Sequence, residues 1–493
     1  MPFGWHQKNI QFVCPERVRP LFQQAVNSTA KLVNMDGAEI AEGSGHPGKR
    51  LVVLPYLCAW LFCLTVLSAA TVFWSLRECG YDLNQPPGVT RDDVYYDNIA
   101  FNLNKGTGFS LDFADKEWLI PYGEHFDTVD RRWIFTTHVR GPTTSRAPVY
   151  PWLVAKSYSA FGRRWDIIRV FQIVLLPIVL STFLVWCGLR IGNPWLAPVA
   201  AVTLCGDYGV LSPAGQIMTE STGILTILAT LVLLDRAGRR GGTANWIASG
   251  IAFGVSLLVR STLVGWLFLA GAGWIGLLLV RMVRRQSVRH FALDGICFFV
   301  AVAAVCSPWW YRNCSISKQF EPFGSAGSIG MFGGYSDGCV ALQGNWDLDS
   351  ALVAERAAVR ARGFNDLTLP EQEHLIGEES KFRAKEWIFK NVSKLPLLML
   401  QKGLNHLAVI NQIHWGVGLA NMLLVGATLA GCWLGRKSVG QWIMIATLLS
   451  LGTTMLTWSH YGRFAIPIRP FWHVACAISI VSFWGMVFRI CKR

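Results

Sequence analysis

The sequence predicts an all-α polytopic membrane protein, a bundle of about 10–12 transmembrane helices with two large external loops. Three observations predict it. Of 493 residues, 52% are hydrophobic and only 15% charged, whereas a soluble domain carries roughly 25% charged residues. The apolar residues come in runs long enough to cross a hydrocarbon core, which takes about 20 residues at 1.5 Å each. The charges fall between those runs rather than inside them.

Taken in order, residues 1–50 form a basic leader, with Lys8, Arg17, Arg19, Lys31, Lys49 and Arg50, expected on the cytoplasmic side. Residues 51–76 are the first transmembrane helix, uncharged up to Arg77. They follow a polar leader with no cleavable signal pattern and read as an uncleaved signal-anchor. Residues 77–147 make the first external loop, and eleven of the 31 acidic residues lie between Glu78 and Asp130. Residues 148–310 are a transmembrane bundle, with spans expected near 168–188, 194–211, 215–234, 244–259, 261–280 and 291–310. Residues 311–395 are a second external loop ending in an amphipathic helix. Residues 396–493 supply the last spans, near 416–434, 439–458 and 464–488. The apolar stretches 148–161 and 397–413 are short for a span and are taken as non-spanning.

A formal charge of +14 invites a nucleic-acid reading, which the placement of the charges excludes. Arg236, Arg239, Arg240, Arg281, Arg284, Arg285 and Arg289 crowd short loops between spans. That is the pattern by which cytoplasmic loops orient a membrane protein and grip anionic headgroups. The partner it implies is the lipid bilayer, with the N-terminus inside. The 13 cysteines form no CxxC or Cys/His ligand pattern, and most lie in apolar runs as small core residues. Cys314 and Cys339 fall in the second loop and are candidates for a disulfide if that side is oxidising.

Chemistry is concentrated just after the first span, in Arg91-Asp92-Asp93-Val94-Tyr95-Tyr96-Asp97-Asn98-Ile99-Ala100-Phe101-Asn102-Leu103. Helical spacing places Tyr96, Ile99, Ala100 and Leu103 on one face, and Gly106 and Gly108 close the helix. The expected element is an interfacial helix with a carboxylate at its head. One reading makes Asp92 and Asp93 N-cap and first-turn residues favoured by the helix dipole. The other makes one of them a base held at headgroup depth, where a lipid-borne phosphate would react, with cations holding the leaving phosphate. His125 and His138 match no metal-ligand spacing; no cofactor is indicated, and a divalent metal has no support. Arg260 sits between two spans in VRSTLVG, as an interfacial anchor or a functional ion.

The run from Asp92 to Ser110, with Arg146-Ala147-Pro148-Val149-Tyr150-Pro151-Trp152-Leu153 and Phe161-Gly162, resembles the GT-C glycosyltransferases of family 39. That family includes protein O-mannosyltransferases and aminoarabinose transferases of lipid A. Thr219-Glu220, Pro308-Trp309 with Arg312-Asn313, and Tyr461-Gly462-Arg463-Phe464 with Pro467 also look like family positions. The resemblance implies a GT-C bundle that moves a sugar from a polyprenyl-phosphate-linked donor to a hydroxyl of a glycan, lipid or protein acceptor. It implies inverting displacement at the external face of a multi-pass protein, as in a bacterial inner membrane. Asp92 or Asp93 would be the base, Arg146 and Arg463 would hold the donor phosphate, and Tyr96, Glu220, Arg260 and Arg312 would line the cavity. A polymerase or ligase of lipid-linked sugars, and a transporter or flippase of them, are the alternatives.

Overall fold

The computed structural model describes residues 48–88, 92–123, 140–361, 363–408, 415–458 and 462–491, and every statement of presence or absence below refers to these. The main helices are α1 (Gly48–Glu78), α2 (Asp93–Lys105), α3 (Val149–Phe161), α4 (Trp165–Ile191), α5 (Leu196–Cys205), α6 (Glu220–Arg240) and α7 (Thr243–Val259). After them come α8 (Val264–Val283), α9 (Arg289–Ser317), α10 (Leu369–Lys390), α11 (Leu395–His406), α12 (Trp415–Leu434), α13 (Val439–Leu456) and α14 (Arg469–Ile490). The one two-stranded sheet among the described residues is antiparallel, with Ser110 facing Pro142 and Leu111 facing Gly141.

Seven helices are long and apolar enough to cross a membrane, including Val53–Glu78, Trp165–Ile191 and Arg289–Ser317. The bent pair Leu196–Cys205 with Tyr208–Gly215 makes an eighth if it counts as one span. The apolar stretches Thr243–Val259 and Gly418–Leu434 are shorter; a bilayer meets short helices by thinning locally. Together these occupy the ten stretches read from the sequence. The protein is a multi-pass membrane protein. α3 and α11, with 13 and 12 residues, are about 20 Å and 18 Å long, too short for a 30 Å core.

One span differs from expectation. The stretch 194–211 is not a continuous helix but turns through 88° between Cys205 and Tyr208. Gly206 and Asp207 occupy the break, and the Val210 amide donates both to the Asp207 carbonyl and to its side-chain Oδ1, which caps the turn that follows. The same carboxylate accepts from Arg469 Nε at 2.7 Å and His473 Nε2 at 2.9 Å on α14. A charge this deep persists only when paired, so Asp207 pins the bend to α14.

Helices in lipid associate through close packing of small residues rather than through hydrophobic burial. On α7, a Cβ at Gly250 would lie 2.4 Å from the Phe298 carbonyl oxygen, and one at Gly254 would lie 2.9 Å from the Val305 Cβ. This small-xxx-small stripe is what lets α9 seat against α7.

The first loop folds into a packed layer rather than a single amphipathic helix lying on the surface. Tyr96 and Ala100 of α2 pack on Tyr150, Val154 and Tyr158 of α3. Tyr95 and Ile99 pack on Leu111, Phe113, Trp118 and Tyr122. A helix buried on both sides must bury polar groups too, and α2 pairs them. Asn98 Nδ2 donates to the Asp112 carbonyl and Asn98 Oδ1 accepts from the Asp112 amide, both at 2.8 Å. α2 ends at Gly106 in the left-handed region, φ 87°, as the paired glycines predict.

Asp97 is the keystone of this layer. Its carboxylate is fully buried and accepts from Trp118 Nε1 (2.7 Å), Tyr122 OH (2.9 Å), Tyr158 OH (2.5 Å) and Trp165 Nε1 (2.9 Å). The Arg163 guanidinium binds both carboxylate oxygens. Removing one member of a buried ion pair costs about 3–5 kcal/mol because the partner charge stays buried. Asp97→Ala is therefore expected to lower the thermal midpoint of the detergent-solubilised protein sharply, as read by loss of monodispersity on heating. An unchanged midpoint would remove Asp97 from this role.

Candidate active site

The residues singled out from the sequence meet at the end of the bundle that carries both polar loops. Asp92 stands in the N-cap position of α2 with helical backbone angles and makes no side-chain cap bond. Its carboxylate turns instead to two cations. Oδ1 lies 3.0 Å from Arg146 Nη2 and Oδ2 lies 2.9 Å from Arg463 Nη2. Arg463 reaches on, its Nε 2.6 Å from Glu220 Oε1, and Arg260 Nη1 is 3.1 Å from the same oxygen. Three guanidiniums and two carboxylates from five separate stretches of chain thus form one network, with one positive charge in excess.

Each member is placed by its local structure. Glu220 opens α6, where the helix dipole favours an anion, and is buried at 1% exposure. Arg260 follows the last turn of α7, buried, and donates through Nη2 to the Arg463 carbonyl at 3.4 Å. Arg463 follows Gly462, whose φ of 73° supplies the left-handed turn. Arg146 lies in the strap before α3 and stacks over the Tyr95 ring at 4.2 Å, a cation–π contact that fixes the guanidinium plane. Burial, the largest influence on Arg146, opposes its charge, but Asp92, Tyr96 and Tyr95 outweigh it and hold its pKa above the ordinary value. Tyr96 is buried beside Asp92, Arg146, Glu220 and Arg463; burial and then the Asp92 charge push its phenol up to about 12. It is a neutral hydroxyl at any physiological pH. Arg146 Nε and Glu220 Oε2 are buried and make no hydrogen bond within the described residues. Buried polar atoms are normally paired, so these mark the network as a place where a further polar group fits.

Asp93, at 3% exposure, is more deeply buried than Asp92, and its charge acts on Tyr150 and Arg169. Arg312 does not join the network. It donates to the carbonyls of Thr143 (2.7 Å) and Phe109 (2.8 Å) and stacks over Phe109 and Trp309, so it ties loops together rather than lining the site. Cys314 and Cys339 are both free thiols. His125, His138 and Tyr461 lie outside the described residues, and among those described no three metal-ligating side chains cluster.

Residues 145–311 match the model of the family described as dolichyl-phosphate-mannose-protein mannosyltransferase. The match spans 167 of the 493 residues, about a third of the chain. The matched segment carries Arg146, Glu220 and Arg260 of the network; Asp92 and Arg463 lie on either side of it. Among solved structures, the chain is similar to ArnT from Cupriavidus metallidurans bound to undecaprenyl phosphate. Identity is 14% over 88% of this chain and 78% of that one, with a TM-score of 0.33. It is similar also to the apo state of ArnT from the same organism, at 15% identity over 87% and 78% of the two chains, with a TM-score of 0.31. Scores this low transfer no residue role. No curated protein matches the chain by sequence.

Proposed function

We propose that this protein is a GT-C glycosyltransferase that moves a sugar from a polyprenyl-phosphate donor to an acceptor hydroxyl at the non-cytoplasmic face, with Asp92 as general base. The observation that carries this reading is the Asp92 carboxylate held between Arg146 and Arg463, at 3.0 and 2.9 Å, with Glu220 and Arg260 behind. An anionic phosphate competes with Asp92 for the same guanidinium donors. As it binds, Arg146 and Arg463 turn to its oxygens, where planar bidentate donors suit a phosphate. Asp92 is then left to take the proton of the acceptor hydroxyl. The acceptor oxygen attacks the anomeric carbon and the carbon–oxygen bond to phosphate breaks. Polyprenyl phosphate departs with its new negative charge on the two arginines. One displacement of this kind inverts the anomeric centre.

Two features support the lipid donor and the face. An apolar notch of about 20 Å³ between α4 and α6, lined by Phe171, Leu175, Val179 and Leu225, lies beside Ser221, next to Glu220. It belongs to an apolar helix surface that leads to the network, against which an isoprenoid would pack. The opposite end of the bundle carries Arg190 and Arg239, both paired with Asp235, along with Arg240, Arg281, Arg284, Arg285 and Arg436. Such basic ends face the cytoplasm, leaving the network outside.

The test is transfer by purified protein in lipid from a panel of polyprenyl-phosphate sugars, read as release of polyprenyl phosphate. Turnover with one donor and inversion at the anomeric carbon are expected. Absence of turnover with every donor and acceptor pair, while the folded protein moves a labelled lipid across liposomes, would overturn the reading in favour of transport.

A further inference from the structure

Arg146 lies in a non-helical strap, where its Nη1 donates to the Ser145 carbonyl at 3.0 Å and its guanidinium stacks over Tyr95. The strap itself is held in place from the second large loop. Glu373 of α10, at 2% exposure, reaches the strap 230 residues earlier in sequence. Its Oε1 accepts from Thr143 Oγ1 at 2.5 Å. Its Oε2 accepts from the Thr144 amide at 2.9 Å, Thr144 Oγ1 at 3.0 Å and Ser325 Oγ at 3.3 Å. The strap is closed in on other sides as well. The Thr143 amide donates to the Phe109 carbonyl at 3.3 Å and Arg312 binds the Thr143 carbonyl. A Cβ on Gly324 would lie 2.0 Å from the Thr144 carbonyl oxygen.

We propose that Glu373 is a positioning residue: it latches Thr143 and Thr144 so that Arg146, two residues on, meets Asp92 and the donor phosphate. Four donors on one buried carboxylate make a latch, since a buried acceptor left with donors in the wrong place loses each bond outright. None of the four is a cation, so the carboxylate leaves the Arg146 guanidinium available for Asp92 while its charge still reaches Arg146. The second loop therefore organises the donor-phosphate side of the site as well as any contact it makes with the acceptor. The role of Arg146 in this statement rests on the proposed function; the latch itself does not.

The test joins a kinetic cycle to a structural readout. Misplacing a binding group by about 1 Å costs on the order of 10²-fold. Glu373→Ala and Glu373→Gln are accordingly expected to raise the donor KM by about tenfold to a hundredfold, with the acceptor KM unchanged. In an Arg146→Ala background the same Glu373 substitutions are expected to add no further loss. An equal loss in both backgrounds overturns the proposal, because a residue acting through Arg146 has nothing left to act through once it is gone. Hydrogen exchange across residues 143–150, measured in the intact protein in nanodiscs, is expected to quicken in both variants; unchanged protection also overturns it. Should Glu373→Ala not fold, Thr144→Val removes one donor to the same carboxylate while keeping the backbone donor. It is expected to give a smaller change of the same kind. If the wild type transfers no sugar, the functional reading fails by itself, and the exchange measurement still decides the latch.

Discussion

With Asp92 as the proposed base, asparagine in its place is expected to lower the turnover of sugar transfer by about 10³-fold, a general base being worth roughly 10²–10⁴, while leaving the protein folded. The substitution is isosteric, and Asp92 is at the rim of the network rather than in its core: its side chain is 32% exposed, against 1% for Glu220. The donor KM should not rise. With Asp92 neutral the excess positive charge of the network grows from one to two, and the two arginines lose their competing anion, so the donor phosphate binds as well or better. A fall in kcat without a rise in KM is what loss of a group acting in the transition state produces. Asp93→Asn should change turnover by less than about tenfold, since Asp93 is buried at 3% exposure while Asp92 is the more exposed carboxylate between Arg146 and Arg463. Steady-state kinetics of both variants decides the matter: full activity in Asp92→Asn, or the larger loss in Asp93→Asn, would move the base elsewhere.

Arg463 carries the second large effect, because it is the one residue that touches both carboxylates. On the proposed function Arg463→Ala removes a donor to the leaving phosphate, and loss of one preorganised donor of this kind costs about 10²–10³-fold. It also brings the network to zero net charge, with Asp92 and Glu220 sharing two arginines, so donor affinity falls along with turnover. Arg463→Lys separates the two contributions. An ammonium keeps the charge but cannot present two N–H groups in a plane, so donor affinity should recover in part while kcat stays low. Donor binding by titration and single-turnover rates, measured on both variants, test this; equal activity of the lysine variant and wild type would reduce the role of Arg463 to charge alone. Breaking a buried pair destabilises by about 3–5 kcal/mol, although Glu220 keeps Arg260 at 3.1 Å. Thermal stability should therefore be recorded beside the kinetics.

Much of the site was legible in the sequence because its members are charges where a membrane protein rarely places them. Glu220 and Arg260 stand at the ends of apolar runs, and Arg463 stands in a short turn against the positive-inside bias. The residues that hold the site were not legible. Asp97 sits one turn past Asp93 and reads as another polar residue of an amphipathic helix; only the folded loop brings two tryptophans, two tyrosines and Arg163 to it. Glu373 lay in an expected amphipathic helix with several other acids, and nothing local distinguishes the one that turns inward. Asp207 did leave a trace: Gly206-Asp207 interrupts an apolar run, which signals a break in a span when the run is short.

The sequence by itself determined that this chain crosses a membrane many times and where the crossings lie, because spanning depends on the apolar content of about 20 consecutive residues. It also determined which residue types could do chemistry at the ends of those crossings. The tertiary structure alone decided that Asp92 meets Arg146 and Arg463, residues 54 and 371 positions away in the chain. It decided as well that Arg146, Glu220, Arg260 and Arg463 form one network while Arg312 does not. Those pairings are made between stretches far apart in the chain. Apolar runs in lipid carry no long-range label for their partners; close packing of small residues and satisfaction of buried charges choose them.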